Sequence, residues 1–206
     1  MDNRFGRAFA ASMALALAAV PTAAAAQGGL TYSDSYTFLK AVRDRDGAKV
    51  NELVGSATGP IVINSRDRTN GEGALHYTVR ARDLTWLAFL LGKGARPDIQ
   101  SNRGDTPLTL AAQIGWLEGA EQLLARRASA DLANGRGETP LILATQRRDL
   151  AMVRLLLARR ADPKRTDNVA GMSALDYARQ DPRAGAVLKL LEAKVAPAKP
   201  AAGPTK

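Results

Sequence analysis

Two stretches of this chain are near-copies set 33 residues apart. "DTPLTLAAQIGWLEGAEQLLARRASAD" runs from Asp105 to Asp131, and "ETPLILATQRRDLAMVRLLLARRADPK" from Glu138 to Lys164; thirteen of their 27 aligned positions are identical. The period continues outside them. Leu75, Leu108 and Leu141 stand 33 apart, and Leu175 follows after 34. The pairs Leu90-Leu91, Leu123-Leu124, Leu156-Leu157 and Leu190-Leu191 keep the same steps. Ala111, Ala144 and Ala178 each follow their leucine by three residues, with Thr78 in that place in the first copy. A period of this length implies a stack of small units, each burying its leucines against the next.

Each unit reads as two short helices. Thr106-Pro107 and Thr139-Pro140 open the first: a threonine hydroxyl can cap a helix, and proline suits the first helical position, where its missing N–H has no partner to lose. Ser173-Ala174 imitates this start and Gly73-Ala74 does so weakly. The second helix ends on the Leu-Leu pair, and in the last unit Asp181-Pro182 caps it anew. Helices this short are marginal alone in water, so the stack must hold them. Composition agrees, since alanine and leucine, both strong helix formers, carry most of the 46% apolar content.

The pattern resembles the ankyrin repeat family, in "TPLTLAAQIG" (106–115), "TPLILAT" (139–145), "ALHYT" (74–78) and "SALDYA" (173–178), with "GARPD" (94–98) and "ADP" (161–163) matching its turn. The resemblance covers roughly residues 70–192 and implies an all-α solenoid of stacked helix-turn-helix units joined by β-hairpin-like loops. "FLKAVRDRDGAKVNELV" (38–54) looks like an N-terminal cap. The expected organisation is a signal peptide at 1–26, a linker at 27–37, a partial capping repeat with an irregular loop at 38–72, repeats at 73–105, 106–138 and 139–172, a C-capping repeat at 173–193, and a disordered Pro/Ala/Lys tail at 194–206. Two departures stand out. Arg127 and Arg160 occupy the place where the family has a left-handed glycine, as Gly94 does here, and a side chain in that conformation costs about 1–2 kcal/mol. The stretch 55–70 is also longer than a standard connection.

The N-terminus has the charged, apolar and small-residue order of a secretory leader. "MDNRFGR" precedes the uncharged run Ala8–Val20, Pro21 breaks it, and "TAAAA" ends at Ala26. Thirteen apolar residues fall short of the ~20 that a hydrocarbon layer of about 30 Å requires. The expectation is therefore export, to a bacterial periplasm. From Gln27 onward there are 27 basic and 19 acidic residues, and residues 137–206 alone carry a net +6.

Catalytic motifs are missing. The chain has no cysteine and one histidine, too few nitrogen and sulfur ligands for the usual zinc sites. There is no G-x-S-x-G elbow, phosphate loop or dinucleotide fingerprint. The acid pairs Asp44/Asp46 and Asp131/Glu138 sit in turns and at helix starts, where carboxylates cap. His76, within "ALHYT", has a structural role by resemblance, bonding the neighbouring turn. The expectation is no catalysis, cofactor or metal.

What the resemblance implies instead is a protein partner, met by hairpin tips and a concave face of first helices. Mapped by position, that face comprises Arg66, Arg68, Asn70, Arg80, Gln100, Asn102, Arg103, Asp105, Gln113, Ile114, Arg136, Glu138, Gln146 and Arg147. Trp116, near the start of its helix, is expected to be exposed enough to join it, and Trp86 to pack inside. A basic strip is expected through Arg126, Arg127, Arg148, Arg159, Arg160, Lys164 and Arg165. It offers a second possibility, weak contact with anionic lipid or cell-wall polymer. Export and the lack of aromatic–basic interleaving argue against nucleic acid despite a pI of 10.2. The chain is expected to act as a monomer.

Overall fold

The computed structural model describes residues 32–195; the expected leader and nearly all of the tail lie outside them. Eleven α-helices follow one another in the described residues: α1 (Tyr32–Arg43), α2 (Gly47–Gly55), α3 (Gly59–Val62), α4 (Ala74–Arg80), α5 (Leu84–Gly92), α6 (Pro107–Ile114), α7 (Leu117–Ala125), α8 (Pro140–Gln146), α9 (Leu150–Ala158), α10 (Ala174–Gln180) and α11 (Gly185–Val195). A 3-10 turn, Pro182–Ala184, leads into α11. First helices α4, α6, α8 and α10 pack side by side as one layer, and α5, α7, α9 and α11 form a second layer behind them. Leu75, Leu108 and Leu141 on the first layer, and Leu90, Leu123 and Leu156 on the second, are essentially inaccessible. The 33-residue register is the core itself.

Local chemistry fixes where each helix starts. Thr106 accepts from the backbone N–H of Thr109, Thr139 from that of Ile142, and Ser173 from that of Asp176. At Gly73, which has no side chain to offer, His76 Nδ1 instead accepts from the Gly73 N–H at 3.1 Å. Second helices are capped by Asp46, Asp83 and Asp149, whose carboxylates accept from Lys49, Trp86 and Met152 N–H groups. Asp181 bonds the Arg183 N–H and so starts the last turn, as its sequence predicts.

Arginine supplies every non-glycine left-handed residue among those described: Arg45, Arg82, Arg127, Arg148 and Arg160, with φ from 49° to 67°. Arg127 and Arg160 close the second helices as expected. Arg45, Arg82 and Arg148 close first helices, and each reaches into the following unit. Arg45 pairs with Asp83 at 2.6 Å, Arg82 donates to the Ile114 carbonyl at 2.6 Å, and Arg148 pairs with Asp181 at 2.8 Å. The strained backbone thus aims a guanidinium across the joint.

The connecting loops are joined tip to tip by backbone bonds: Asn102 N–H to Asn70 carbonyl, Gly135 to Arg103, and Asn168 to Arg136, at 2.8–2.9 Å. Gly104 and Gly137 are left-handed, and a Cβ on either would lie 2.5 and 2.7 Å from the next tip's backbone. Only glycine allows that approach. In the hairpin-like loops the described residues contain only two isolated β-bridges, Arg66 with Gly73 and Thr166 with Ser173. The single 34-residue step has a local cause. The outer loops close with Asp67 N–H to Glu72 carbonyl and Asp167 N–H to Met172 carbonyl, one residue longer than the inner closures, Ser101 to Asp105 and Asn134 to Glu138.

Three expectations shift. Helix α1 begins at Tyr32, inside the stretch expected as linker. The irregular stretch contains α3, where Pro60 sits in the first turn and Val62 and Ile63 enter the core. Helix α11 runs to Val195, past the expected end of the C-cap.

Candidate partner-binding face

Along the tips an exposed arginine is repeatedly held by a sunken acid. Arg103 Nε lies 3.2 Å from Asp105 Oδ2. Arg136 places Nε and Nη2 at 3.0 and 2.7 Å from Glu138 Oε2. Arg80, rising from α4, holds Glu72 Oε1 with Nε and Nη2 at 3.1 and 2.5 Å. The acids Glu72, Asp105 and Glu138 follow the 33-residue step and are 8, 12 and 9% exposed in their side chains; Arg80, Arg103 and Arg136 are 45, 71 and 63% exposed. A recessed carboxylate is costly to leave without a partner, and the guanidinium supplies one. The guanidinium, fixed on one edge, keeps its remaining donors for solvent or a partner.

Turn residues brace this row. Asn134 Oδ1 accepts from the Arg136 and Glu138 N–H groups while its Nδ2 donates to Glu138. Ser101 Oγ does the equivalent for Arg103 and Asp105. Arg66 donates to the Gly71 carbonyl and to Asn102 Oδ1. Asn70 accepts from Glu72 N–H, and Gln100 Nε2 spans the Gly104 and Ala133 carbonyls. Between tips run two grooves of ≈ 500 and ≈ 440 Å³, the first rimmed by Asn70, Arg80 and Asn102, the second by Arg103, Gln113 and Arg136. Arg68 and Gln146 are exposed, and Arg147 lies over Gly115, 3.0 Å from where a Cβ would be. Ile114 is half-buried against the core.

Both tryptophans depart from expectation. Trp116 is 5% exposed and belongs to the core. Its ring lies over Gly119, where a Cβ would sit 2.1 Å from the indole, so the glycine makes the room. Trp86 is only half-buried, edge-on to Phe89 at 5.4 Å. Asp105 and Glu138 are also recessed and present their arginines rather than themselves. The missed residue in this row is Glu72, whose signal was its 33-residue spacing from Asp105.

The expected basic strip divides into two rows. Arg126, Arg127, Arg159 and Arg160 lie at the C-terminal ends of α7 and α9, whereas Arg148 lies at the N-terminal end of α9, about 13 Å away along nine residues of helix. Arg148 is also spent on Asp181. Lys164 and Arg165 lie in the loop that follows α9 and are exposed.

His76 is fully buried and serves the joint. Its Nε2 donates to the Asp105 carbonyl at 2.8 Å, while Nδ1 accepts from Gly73, which fixes one neutral tautomer. Burial holds its pKa below the usual imidazole value, opposed by that bond to Asp105. The outer repeats share a second device: Tyr77 donates to Asp67 and Tyr177 to Asp167 at 3.1 and 2.6 Å. Burial and the Asp67 carboxylate push Tyr77 up to about 12. No group of three or more His, Asp or Glu able to hold a metal occurs among the described residues, and no described helix is long and apolar enough to cross a membrane.

Stacked helix pairs with tip-to-tip loops define a repeat scaffold. The family model for ankyrin repeats, in three copies, matches residues 75–167 and 117–199, and the chain belongs to the ankyrin repeat family. It is also similar to an ankyrin repeat protein of Acanthamoeba polyphaga mimivirus, L271, at 43% identity over 56 residues, which is 27% of this chain and 8% of that protein. Ankyrin repeats indicate a protein-interaction scaffold, and such domains are typically non-catalytic.

Proposed function

We propose that this chain is an exported binding module, acting in a periplasm, that holds one protein partner on its tips and first helices. The observation that carries this is the row of exposed arginines braced by recessed acids. Each guanidinium of Arg80, Arg103 and Arg136 is paired and oriented in advance, so less side-chain freedom is lost when a partner docks. A locally balanced row favours a partner of matching shape over any anionic surface. The leader at 1–26 supports export.

The test is affinity capture on the immobilised protein from periplasmic extract at low salt and then at about 0.3 M, where charge screening shortens below ~8 Å. A parallel column carries Arg68, Arg103 and Arg136 changed to serine. One stoichiometric protein that survives the salt and is lost from the variant column is expected. Retention on both columns would remove the tips from the site.

A second reading rests on the other row. Arg126, Arg127, Arg159 and Arg160 are exposed and have no ion pair among the described residues, a geometry open to anionic lipid or cell-wall polymer. An acidic mixture that washes off both columns with salt would favour it.

A further inference from the structure

The first full repeat differs from its successor at three positions that meet in space. Ala81, Asp83 and Trp86 stand where the next repeat, 33 residues on, has Ile114, Trp116 and Gly119. There, the indole of Trp116 is buried over Gly119. Here the bulk is moved from 83 to 86 and position 81 carries only a methyl group. A cavity of ≈ 370 Å³ opens between α1, α4 and the start of α5. Its walls are apolar at Val42, Ala81 and Trp86 and cationic at Arg43, Arg45 and Arg80, with one carboxylate, Asp83, among them.

The acids near this cavity are already committed. Asp83 pairs with Arg45 and caps α5 through the Trp86 N–H. Glu72 holds Arg80, and Asp67 accepts from Tyr77. Arg43 is different: its guanidinium lies 5.3 Å from the centre of the Tyr77 ring and has no carboxylate partner among the described residues. A guanidinium held over an aromatic face keeps donors available for an anion. Beside it is an apolar wall of Val42, Ala81 and Trp86, against which an apolar neighbour of a carboxylate can pack. The volume is at the small end of ligand pockets, enough for one or two side chains.

We propose that this joint cavity is the anchor pocket of the binding face, taking a carboxylate borne beside an apolar side chain on the partner's peptide. The assignment rests on the partner-binding function above and deepens it. Arg43 receives the carboxylate; Val42, Ala81 and Trp86 receive the apolar neighbour.

The test is a titration of the isotope-labelled protein with acetyl-Gly-Leu-Glu-Gly-amide, its glutamine counterpart and 3-phenylpropionate, read by amide resonances and by the Trp86 indole N–H resonance. Saturable shifts at Arg43, Tyr77 and Ala81 are expected with the glutamate peptide, and affinity about tenfold lower with glutamine, the loss of one charge-assisted bond. Arg43→Gln should bind the two peptides equally. Ala81→Ile installs the side chain that the next repeat carries and should abolish binding with the fold retained by circular dichroism. Equal affinity of parent protein for both peptides, or unchanged binding by Ala81→Ile, overturns the pocket. If 3-phenylpropionate binds as tightly as the peptide, the pocket serves a free carboxylate and the peptide anchor is overturned. Arg103→Ser is the separating control: it should lose partner capture yet bind the glutamate peptide normally. In the parent protein, peptide binding with failed capture would sink the partner-binding function alone, and capture without peptide binding would sink the pocket alone.

Discussion

Gly119→Ala tests the placement of Trp116 through the sign of its effect. Gly119 lies within α7, where alanine in place of glycine ordinarily stabilises by about 0.5–1 kcal/mol. The new Cβ would, however, lie 2.1, 2.3 and 2.5 Å from three atoms of the Trp116 ring. The ring is a rigid plane and 5% exposed. Expelling it would forfeit about 4–6 kcal/mol of apolar burial, so it must shift within the core instead. Overpacking of this kind costs about 1–3 kcal/mol. Set against the propensity gain, the net runs from about zero to a loss of about 2.5 kcal/mol, or a melting temperature lower by up to roughly 10 °C for a chain of this size. Thermal and urea melts followed at 222 nm give the magnitude, and tryptophan emission reports whether the ring becomes wetter. In a Trp116→Leu background the same Gly119→Ala change should lose most of its penalty. A higher melting temperature for Gly119→Ala alone would refute the buried placement and return Trp116 to the surface.

Other perturbations read other joints. Arg127→Gly and Arg160→Gly relieve φ values of 66° and 67° and should each stabilise by about 0.5–1 kcal/mol in urea melts, strain relief of ~1–2 less the added freedom of the unfolded chain. Arg148→Gly, at φ 58°, should gain less than either because it also loses Asp181, and an equal gain would mean that the cross-joint pair is idle. His76 has a folded-state pKa lowered by burial, so the unfolded chain takes up the proton first. Its contribution is present above about pH 6.5, the unperturbed value, and is lost as pH falls below that towards the folded value. Urea melts in steps from pH 7.5 to 5.5 should show that loss, and His76→Gln should lack it while being weaker at pH 7.5 by about 1–3 kcal/mol. Thr145 Oγ1 is buried with no hydrogen-bond partner. Thr145→Val should therefore be neutral or stabilise by up to about 1 kcal/mol in the same melts, and a clear loss would reveal a partner for the hydroxyl.

Much of the fold is legible in the residues because one physical demand repeats. A leucine that must reach the same core in every unit recurs at a fixed step, and Thr-Pro and Asp at helix starts mark the caps. The site was less legible. Arg103 and Asp105, like Arg136 and Glu138, are two apart across a glycine, a spacing equally compatible with two solvated charges and with a braced pair. Only the fold of the turn, which sinks the acid and lifts the arginine, separates the two. Trp116 misled because its register places it at a helix start, where side chains are commonly exposed; the signal against that was Gly119, three residues on.

The joint cavity has a related logic. From one full repeat to the next the step is 33 or 34 residues, but from cap to first repeat it is 37: Val42 matches Val79, Arg45 matches Arg82 and Asp46 matches Asp83. The left-handed arginines at 45 and 82 and the capping carboxylates at 46 and 83 show that backbone and side chains obey this longer step. The added length lies in the stretch that builds α3. Beyond that joint, Ile114 and Trp116 occupy the positions that Ala81 and Asp83 hold beside the cap. The third repeat does not keep that filling: it has Arg147, Asp149 and Met152 at the three positions, and Asp149 caps α9 as Asp83 caps α5. The filling by Ile114 and Trp116 over Gly119 is therefore particular to the second repeat. What sets the cap joint apart is its longer step, and the opening beside Arg43 lies at that joint.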